Sequence, residues 1–196
     1  KGILEEQSLR EDRSLYDFQK QDEKRSLSDA QQKALNEINN IFEEKPVVLF
    51  QGVTGSGKTE VYIELIAQAI AQDKQVLYLL PEISLTPQMV QRLQARFGSE
   101  VTVYHSKFSI HERTEVWNNI LDKNPNAKII VGTRSAIFLP FNQLGLVIVD
   151  EEHELSYKQF DPSPRYHARD SAVVLAGLYQ AKVLSGSAPP AWDSSF

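Results

Sequence analysis

Between the apolar run VVLF at 47–50 and the helix-like run EVYIELIAQAI lies Gly52-Val53-Thr54-Gly55-Ser56-Gly57-Lys58-Thr59, a full match to G-x-x-x-x-G-K-[ST]. This octapeptide dictates a strand, a tight glycine-rich turn and a helix in immediate succession, so the chain must build a sheet with helices packed on it. Glycines let the loop wrap so that its backbone N–H groups, together with the helix N-terminus, point inward as an anion nest. In that geometry Lys58 reaches the outer phosphates of a nucleotide and the Thr59 hydroxyl serves its Mg²⁺.

The rest of the chain repeats the rhythm that the loop begins. Short apolar runs recur at 47–50, 76–80, 101–104, 128–132, 144–150 and 182–186, with helix-length segments between them at about 59–72, 86–97, 109–122 and 168–180. The runs are apolar at successive positions, so buried parallel strands are expected. The expected fold is a doubly wound, mostly parallel α/β sheet. Upstream, Ser28 is a good N-cap, and SDAQQKALNEINNIF places Ala30, Ala34, Leu35, Ile38 and Ile41 on one helical face.

Residues 1–25 are charged and lack apolar periodicity, so they read as a linker, with a strand expected around Gly2 to Leu4. The first residue looks internal, and the run reads as a piece of a longer protein. One core is expected over 26–190, and the terminal residues 191–196 are expected to fray. No stretch approaches the roughly 20 apolar residues a membrane span needs, and no secretory signal opens the chain, so a soluble protein without membrane association is expected.

The absence of cysteine excludes disulfides and thiolate zinc sites and fits a reducing cytoplasm, and four scattered histidines make no metal site. A net charge of −5 argues against nucleic-acid binding by bulk electrostatics. Contacts to DNA would have to be local, through amides, hydroxyls and a few arginines.

A second segment completes the chemistry. The run Leu146-Val147-Ile148-Val149 ends abruptly in Asp150-Glu151-Glu152-His153. At the carboxyl edge of a parallel sheet beside a phosphate loop, Asp150 can hold the Mg²⁺ shell and Glu151 can orient and activate water. His153 could relay between the nucleotide and a DNA-binding element. Alone, this run would be a strand followed by a solvated acidic turn; paired with the loop it is far more specific.

D-E-x-H after a phosphate loop of the Walker A type resembles the superfamily 2 (DEAH box) helicases. Pro81-Glu82-Ile83-Ser84-Leu85-Thr86 and Gly132-Thr133-Arg134-Ser135-Ala136 resemble two further motifs of that family. The resemblance implies a RecA-like, P-loop NTPase lobe with ATP and Mg²⁺ as cofactors. It makes Pro81, Glu82, Thr133, Arg134 and Ser135 contacts to a sugar-phosphate backbone. Leu27-Ser28-Asp29-Ala30-Gln31 resembles the family's adenine-reading motif, in which Gln31 pairs with the base edge. By the same match the nucleotide loop comprises Gly52, Val53, Thr54, Gly55, Ser56, Gly57, Lys58 and Thr59.

The segment DEEHELSYKQFDPSPRYHARD, with LLPEISLTPQM and YHSKFSIHER, resembles more narrowly the bacterial replication-restart helicases over most of 27–187. In that family the segment is an aromatic-rich loop coupling DNA binding to ATP hydrolysis, here occupied by Tyr157, Lys158, Phe160, Arg165, Tyr166, His167, Arg169 and Asp170. Rings and arginines of this kind suit stacking on unpaired bases, although about half are expected to pack a helix start instead. The opening KGILEE resembles the end of the family's winged-helix, DNA-binding module. The resemblance further implies 3′→5′ unwinding of forked or single-stranded DNA in the bacterial cytoplasm. Its implied partners are primosome proteins, single-stranded DNA-binding protein and the loader of the replicative helicase. Zinc would belong only to a second lobe, which this chain lacks; without that lobe's arginine finger, weak nucleotide binding and poor hydrolysis are expected of the lobe alone.

The chain departs from the family at Gly186-Ser187-Ala188-Pro189-Pro190-Ala191, where Pro189 stands in place of a threonine and removes both a hydroxyl and an N–H. Three other readings stay open: an RNA helicase or duplex translocase, a phosphate-loop phosphotransferase, and a nucleotide-controlled docking module. Preference for DNA over RNA, stimulation by nucleic acid, and loss of function in Glu151→Gln separate them in turn.

Overall fold

The computed structural model describes residues 26–188 apart from Thr54. The expected linker over 1–25, the nucleotide contact at Thr54, Pro189 and the tail at 191–196 lie outside the described residues.

Helix α1 (Asp29–Glu44) opens on a reciprocal capping box: the Ser28 hydroxyl accepts from the Gln31 N–H, and the Gln31 side chain accepts from the Ser28 N–H. Its buried face is Leu35, Ile38 and Phe42. That stripe is rotated from the expected one, because Ala30 and Ile41 are exposed and only Ala34 is half-buried. Phe42 carries more apolar surface than Ile41 and is the residue the helix turns inward.

Six strands follow: β1 (Val47–Gln51), β2 (Gln75–Leu79), β3 (Val101–Tyr104), β4 (Ile129–Gly132), β5 (Leu144–Val149) and β6 (Lys182–Ser187). They form one sheet in the order β1-β6-β5-β2-β4-β3, and every pairing is parallel. The connecting helices are α2 (Lys58–Ala71), α3 (Pro87–Phe97), α4 (Ile110–Leu121) and α5 (Ala168–Tyr179), each within about a residue of its expected span.

The helices split between the two faces, as the doubly wound expectation requires. One core joins α1, α2 and α3 to the sheet through residues such as Leu35, Ile66, Tyr78 and Leu93. The other joins α4 and α5 through Ile120, Val147, Ala172 and Ala176. On α5 the residues buried at four-residue spacing are Ala168, Ala172 and Ala176, whose small side chains let the helix lie close on β5. Truncating a fully buried residue of α2, such as Ile66, would cost about 2–5 kcal/mol.

Strand β1 differs from its expected state. It is an edge strand hydrogen-bonded only to β6, and Val47 and Leu49 are exposed although the run is apolar throughout. An apolar run cannot itself distinguish a central strand from an edge strand with one open face. Because all six strands run the same way, the segments that follow them converge on one edge of the sheet. Those segments are the octapeptide after β1, 80–82 after β2, 105–109 after β3, 133–135 after β4, 150–153 after β5 and Ala188 after β6.

Candidate functional site

The loop after β1 is anchored at its base by the Gly52 N–H, which donates to the Ser187 carbonyl of β6 at 3.1 Å. Gly55 and Gly57 both take left-handed backbone angles, φ +79° and +82°, which glycine adopts without strain. At Gly57 an added Cβ would also lie 2.2 Å from Gln31 Nε2, so the Gln31 amide would have to shift. Lys58, the first residue of α2, is buried, and its ammonium donates to the Gly52 carbonyl at 2.6 Å. It lies 3.6 Å from a carboxylate oxygen of Glu151. The helix N-terminus and this cation therefore lie beside the acidic segment, as a phosphate site beside a metal site requires.

Asp150 is buried at the end of β5, and three donors fix its carboxylate. The Tyr62 hydroxyl of α2 donates to Oδ1 at 3.1 Å, and the Tyr78 hydroxyl of β2 donates to Oδ2 at 3.3 Å. The Glu151 N–H completes the set at 3.1 Å from Oδ1. Burial, then the charge of Glu151, pushes the Asp150 carboxyl above the usual aspartate range, against the opposing hydrogen bonds and the Lys58 charge. Burial and the same carboxylate push the Tyr62 and Tyr78 hydroxyls far up, so both remain donors.

Glu151 has φ +46°, a left-handed conformation that a glutamate holds only where its surroundings impose it. Those surroundings are visible. Glu152 N–H donates to the Gly186 carbonyl at 2.8 Å, and Glu154 N–H to the Glu151 carbonyl at 2.9 Å. His153 Nδ1 lies 3.8 Å from Glu151 and 3.5 Å from the Ser187 hydroxyl, which places it between the acidic segment and the end of β6. The structure thus brings together Lys58, Asp150, Glu151 and His153, with Thr59 on the first turn of α2.

Gln31 also reaches this site, but its amide is engaged with the protein. Its oxygen accepts from the Ser28 N–H, and its nitrogen donates to the Gly57 carbonyl at 3.3 Å. It ties α1 to the phosphate loop.

The outer part of the edge is built differently. The Arg134 guanidinium donates to the Ser156 and Lys158 carbonyls at 3.3 and 3.4 Å, so it braces the aromatic segment. Gln159 N–H donates to the Tyr166 carbonyl at 2.8 Å, and Lys158 bridges His167, closing the segment into a loop. Lys158 lies over the Phe160 ring at 4.7 Å, and Tyr166 packs edge-on against Phe138 at 5.0 Å. Arg169 pairs with Glu152 at 2.8 Å and with Asp170 at 2.9 Å, linking α5 to the acidic segment.

Arg165 and Phe160 are exposed and open to a ligand, and Glu82 is exposed with the Ser106 hydroxyl 3.5 Å away. Pro81 and Tyr157 are buried. Tyr157 falls in the packing half of its segment: its hydroxyl sits 2.6 Å from the Asp150 carbonyl and 3.0 Å from the Leu79 carbonyl. Around Arg134 lie several buried polar atoms without a partner, namely Thr133 Oγ1, Ser135 Oγ, Ser156 Oγ and His167 Nδ1.

Sequence reasoning missed Tyr62, Tyr78 and the structural role of Tyr157. A signal existed for the first two: a tyrosine in a helix or strand buried on every side needs a partner for its hydroxyl.

Comparison with known proteins agrees with this geometry. The family model for DEAD/DEAH box helicases matches residues 28–193. The chain is 44% identical, over 99% of its length, to the replication restart protein PriA of Bacillus subtilis. It is 51% identical over 76% of its length to the PriA of Haemophilus influenzae. It spans only 24% and 20% of those two relatives. Among solved structures it matches RecG bound to a three-way DNA junction with a TM-score of 0.61 and 26% identity, covering 84% of this chain and 21% of that one. The helicase MrfA bound to DNA matches with a TM-score of 0.59 over 84% of this chain and 24% of that one; at 22% identity the likeness shows a shared fold.

Proposed function

The chain belongs to the DEAD/DEAH box helicase family, and on that premise we propose that it is the ATP-binding motor lobe of a 3′→5′ DNA helicase that restarts stalled replication forks. The observation that carries the reading is the meeting, at one sheet edge, of Lys58 with Asp150 and Glu151. The identity to PriA over most of the chain supports the restart role.

Bound ATP with Mg²⁺ would supply the phosphoanhydride to be cleaved and a cation to offset its charge. The residues present fit that pair: a glycine loop leading into a helix N-terminus, a buried lysine, and a carboxylate already oriented by three donors. Lys58 would exchange its contact with the Gly52 carbonyl for the outer phosphates, and Asp150 would hold the Mg²⁺ shell. Glu151, fixed by its left-handed backbone, would orient the attacking water and take its proton. His153 and Arg169 would carry the change from the acidic segment to the end of β6 and to α5.

At the outer edge, the unpartnered hydroxyls of Thr133 and Ser135 would donate to oxygens of a sugar-phosphate backbone, with Pro81 and Glu82 flanking it. Lys158, Arg165, Tyr166 and His167 would form the coupling loop. The relatives' greater length leaves room for a second lobe supplying the arginine finger and a zinc module, and for a preceding DNA-binding module. In this reading the protein works in the bacterial cytoplasm with primosome proteins, single-stranded DNA-binding protein and the loader of the replicative helicase. Strand-displacement assays on the intact protein test it. Forked DNA with a 3′ single-stranded arm is expected to be unwound with ATP, and equal unwinding of RNA duplexes would contradict the DNA assignment.

A further inference from the structure

Asp150 is buried, and its carboxylate is held closely on both oxygens. A carboxylate offers about four lone-pair sites. Tyr62, Tyr78 and the Glu151 N–H fill three of them, leaving Oδ2 one further acceptor position. The two tyrosines come from different elements, α2 and β2, and both are fully buried. Their rings meet edge-to-face at 5.8 Å, and Phe50 closes the other side of Tyr62 at 6.3 Å. Neither hydroxyl can swing away without disturbing the core.

The last strand closes the arrangement. At Gly186 on β6, an added Cβ would lie 1.9 Å from the Tyr62 hydroxyl oxygen, 3.0 Å from Tyr62 Cζ and 3.2 Å from Asp150 Oδ1. Gly186 has an ordinary backbone conformation, since it is not among the glycines with positive φ. Glycine is needed there for space: it clears the position in which the Tyr62–Asp150 hydrogen bond sits. The Gly186 carbonyl accepts from Glu152, so β6 touches the acidic segment from both its backbone and its open Cα side.

We propose that Tyr62 and Tyr78 are positioning residues, a two-hydroxyl clamp that presets the Asp150 carboxylate for the Mg²⁺-nucleotide complex, with Gly186 as the space that lets the clamp close. The inference rests on the reading of Asp150 as the metal-side carboxylate. Satisfying a buried charge and presetting it for a metal differ in one respect. Satisfaction alone affects folding, whereas presetting changes how strongly Mg²⁺ tightens nucleotide binding.

The test is the affinity of the intact protein for a fluorescent ATP analogue, measured in Mg²⁺ and in EDTA. The variants are Tyr62→Phe, Tyr78→Phe, Gly186→Ala and Asp150→Asn. Tyr62→Phe keeps the ring and removes only the hydroxyl. It is expected to lower the Mg²⁺-dependent gain in affinity about tenfold while moving the affinity in EDTA by less than about twofold, the scale of one hydrogen bond to a charged group. Gly186→Ala should act in the same direction, and Tyr78→Phe serves if either of those fails to fold.

In the double variant Tyr62→Phe/Asp150→Asn, the Mg²⁺ gain is expected to fall no further than in Asp150→Asn alone, because the hydroxyl acts through that carboxylate. An unchanged Mg²⁺ gain in both Tyr62→Phe and Tyr78→Phe, with that gain lost in Asp150→Asn, would overturn the clamp and leave the site reading standing. Equal losses in Mg²⁺ and EDTA would also overturn the clamp. A Mg²⁺ gain untouched in Asp150→Asn would overturn both.

Discussion

The two halves of the functional edge handle their polar groups in opposite ways. Around β1, β5 and β6 the buried groups are paired within the chain: Lys58 with Gly52 and Glu151, Asp150 with two tyrosines, Tyr157 with the Asp150 carbonyl. Around β3, β4 and the aromatic loop, buried side-chain atoms stand without a partner, at His105, Thr133, Ser135, Ser156 and His167. Among the described residues, every buried unpartnered side-chain atom falls in that second half. An unsatisfied buried polar group costs about 1–3 kcal/mol, so the second half carries a cost that the first does not. The first half is preset, and the second, braced by Arg134, is left open.

Removing the cation from the preset half gives the largest expected effect. Lys58→Ala should lower ATP turnover of the intact protein at least about a hundredfold, since it removes the one buried positive charge at the loop. Turnover within about threefold of the parent would break the preset half of the comparison.

Substitutions at Arg134 probe the open half. Arg134→Ala frees the Ser156 and Lys158 carbonyls and should lower DNA stimulation of the ATPase about tenfold. Arg134→Lys should rescue little, because a lysine side chain ends one bond short of the Nη1 that donates to both carbonyls. Full stimulation in both variants would remove the brace from the account.

Two shape-conserving substitutions then set the halves against each other. Tyr62→Phe leaves Asp150 short of a donor and should destabilise the protein by about 1–2 kcal/mol in chemical denaturation. Thr133→Val removes a hydroxyl that has no partner, so it should leave stability unchanged or raise it by up to about 1 kcal/mol. DNA affinity should nevertheless fall in Thr133→Val. Matching losses of stability in the two variants would erase the distinction.

The smallest effect concerns pH. The Asp150 carboxyl is raised above its ordinary value of 3.8, so the folded state binds its proton more tightly than the unfolded chain does. Its contribution to stability is fully present below 3.8 and is lost as pH rises through the raised value, which leaves a charged, buried carboxylate at neutral pH. Asp150→Asn should therefore raise the melting temperature of the ligand-free protein at pH 7 by about 2–4 °C, and by less at pH 4. A lower melting temperature at pH 7 would show that the three donors outweigh the burial.

The parts of the molecule legible in the sequence are those written in local patterns. Apolar runs and the Gly52–Thr59 spacing predict the strands, the helices and the phosphate loop, because backbone geometry alone links them. The acidic run after β5 is expected beside the phosphate loop, because a parallel sheet delivers its strand ends to one edge. Features that depend on neighbours in space are less legible. The exposure of Val47 and Leu49 follows from the place of β1 at the sheet edge, which its own residues do not encode. The inward turn of Phe42 and the hydrogen bond from Gln31 to the Gly57 carbonyl depend on how α1 lies on α2. Tyr62, Tyr78 and Gly186 are far apart in sequence, and their common purpose emerges only where they meet at Asp150.

The most direct test of the motor reading is ATP turnover by the intact protein with and without forked DNA, beside Lys58→Ala and Glu151→Gln. Turnover that rises with DNA and is abolished by both substitutions is the predicted result. Turnover indifferent to nucleic acid, or surviving Glu151→Gln, would contradict a motor and favour a phosphotransferase or a nucleotide-controlled docking module.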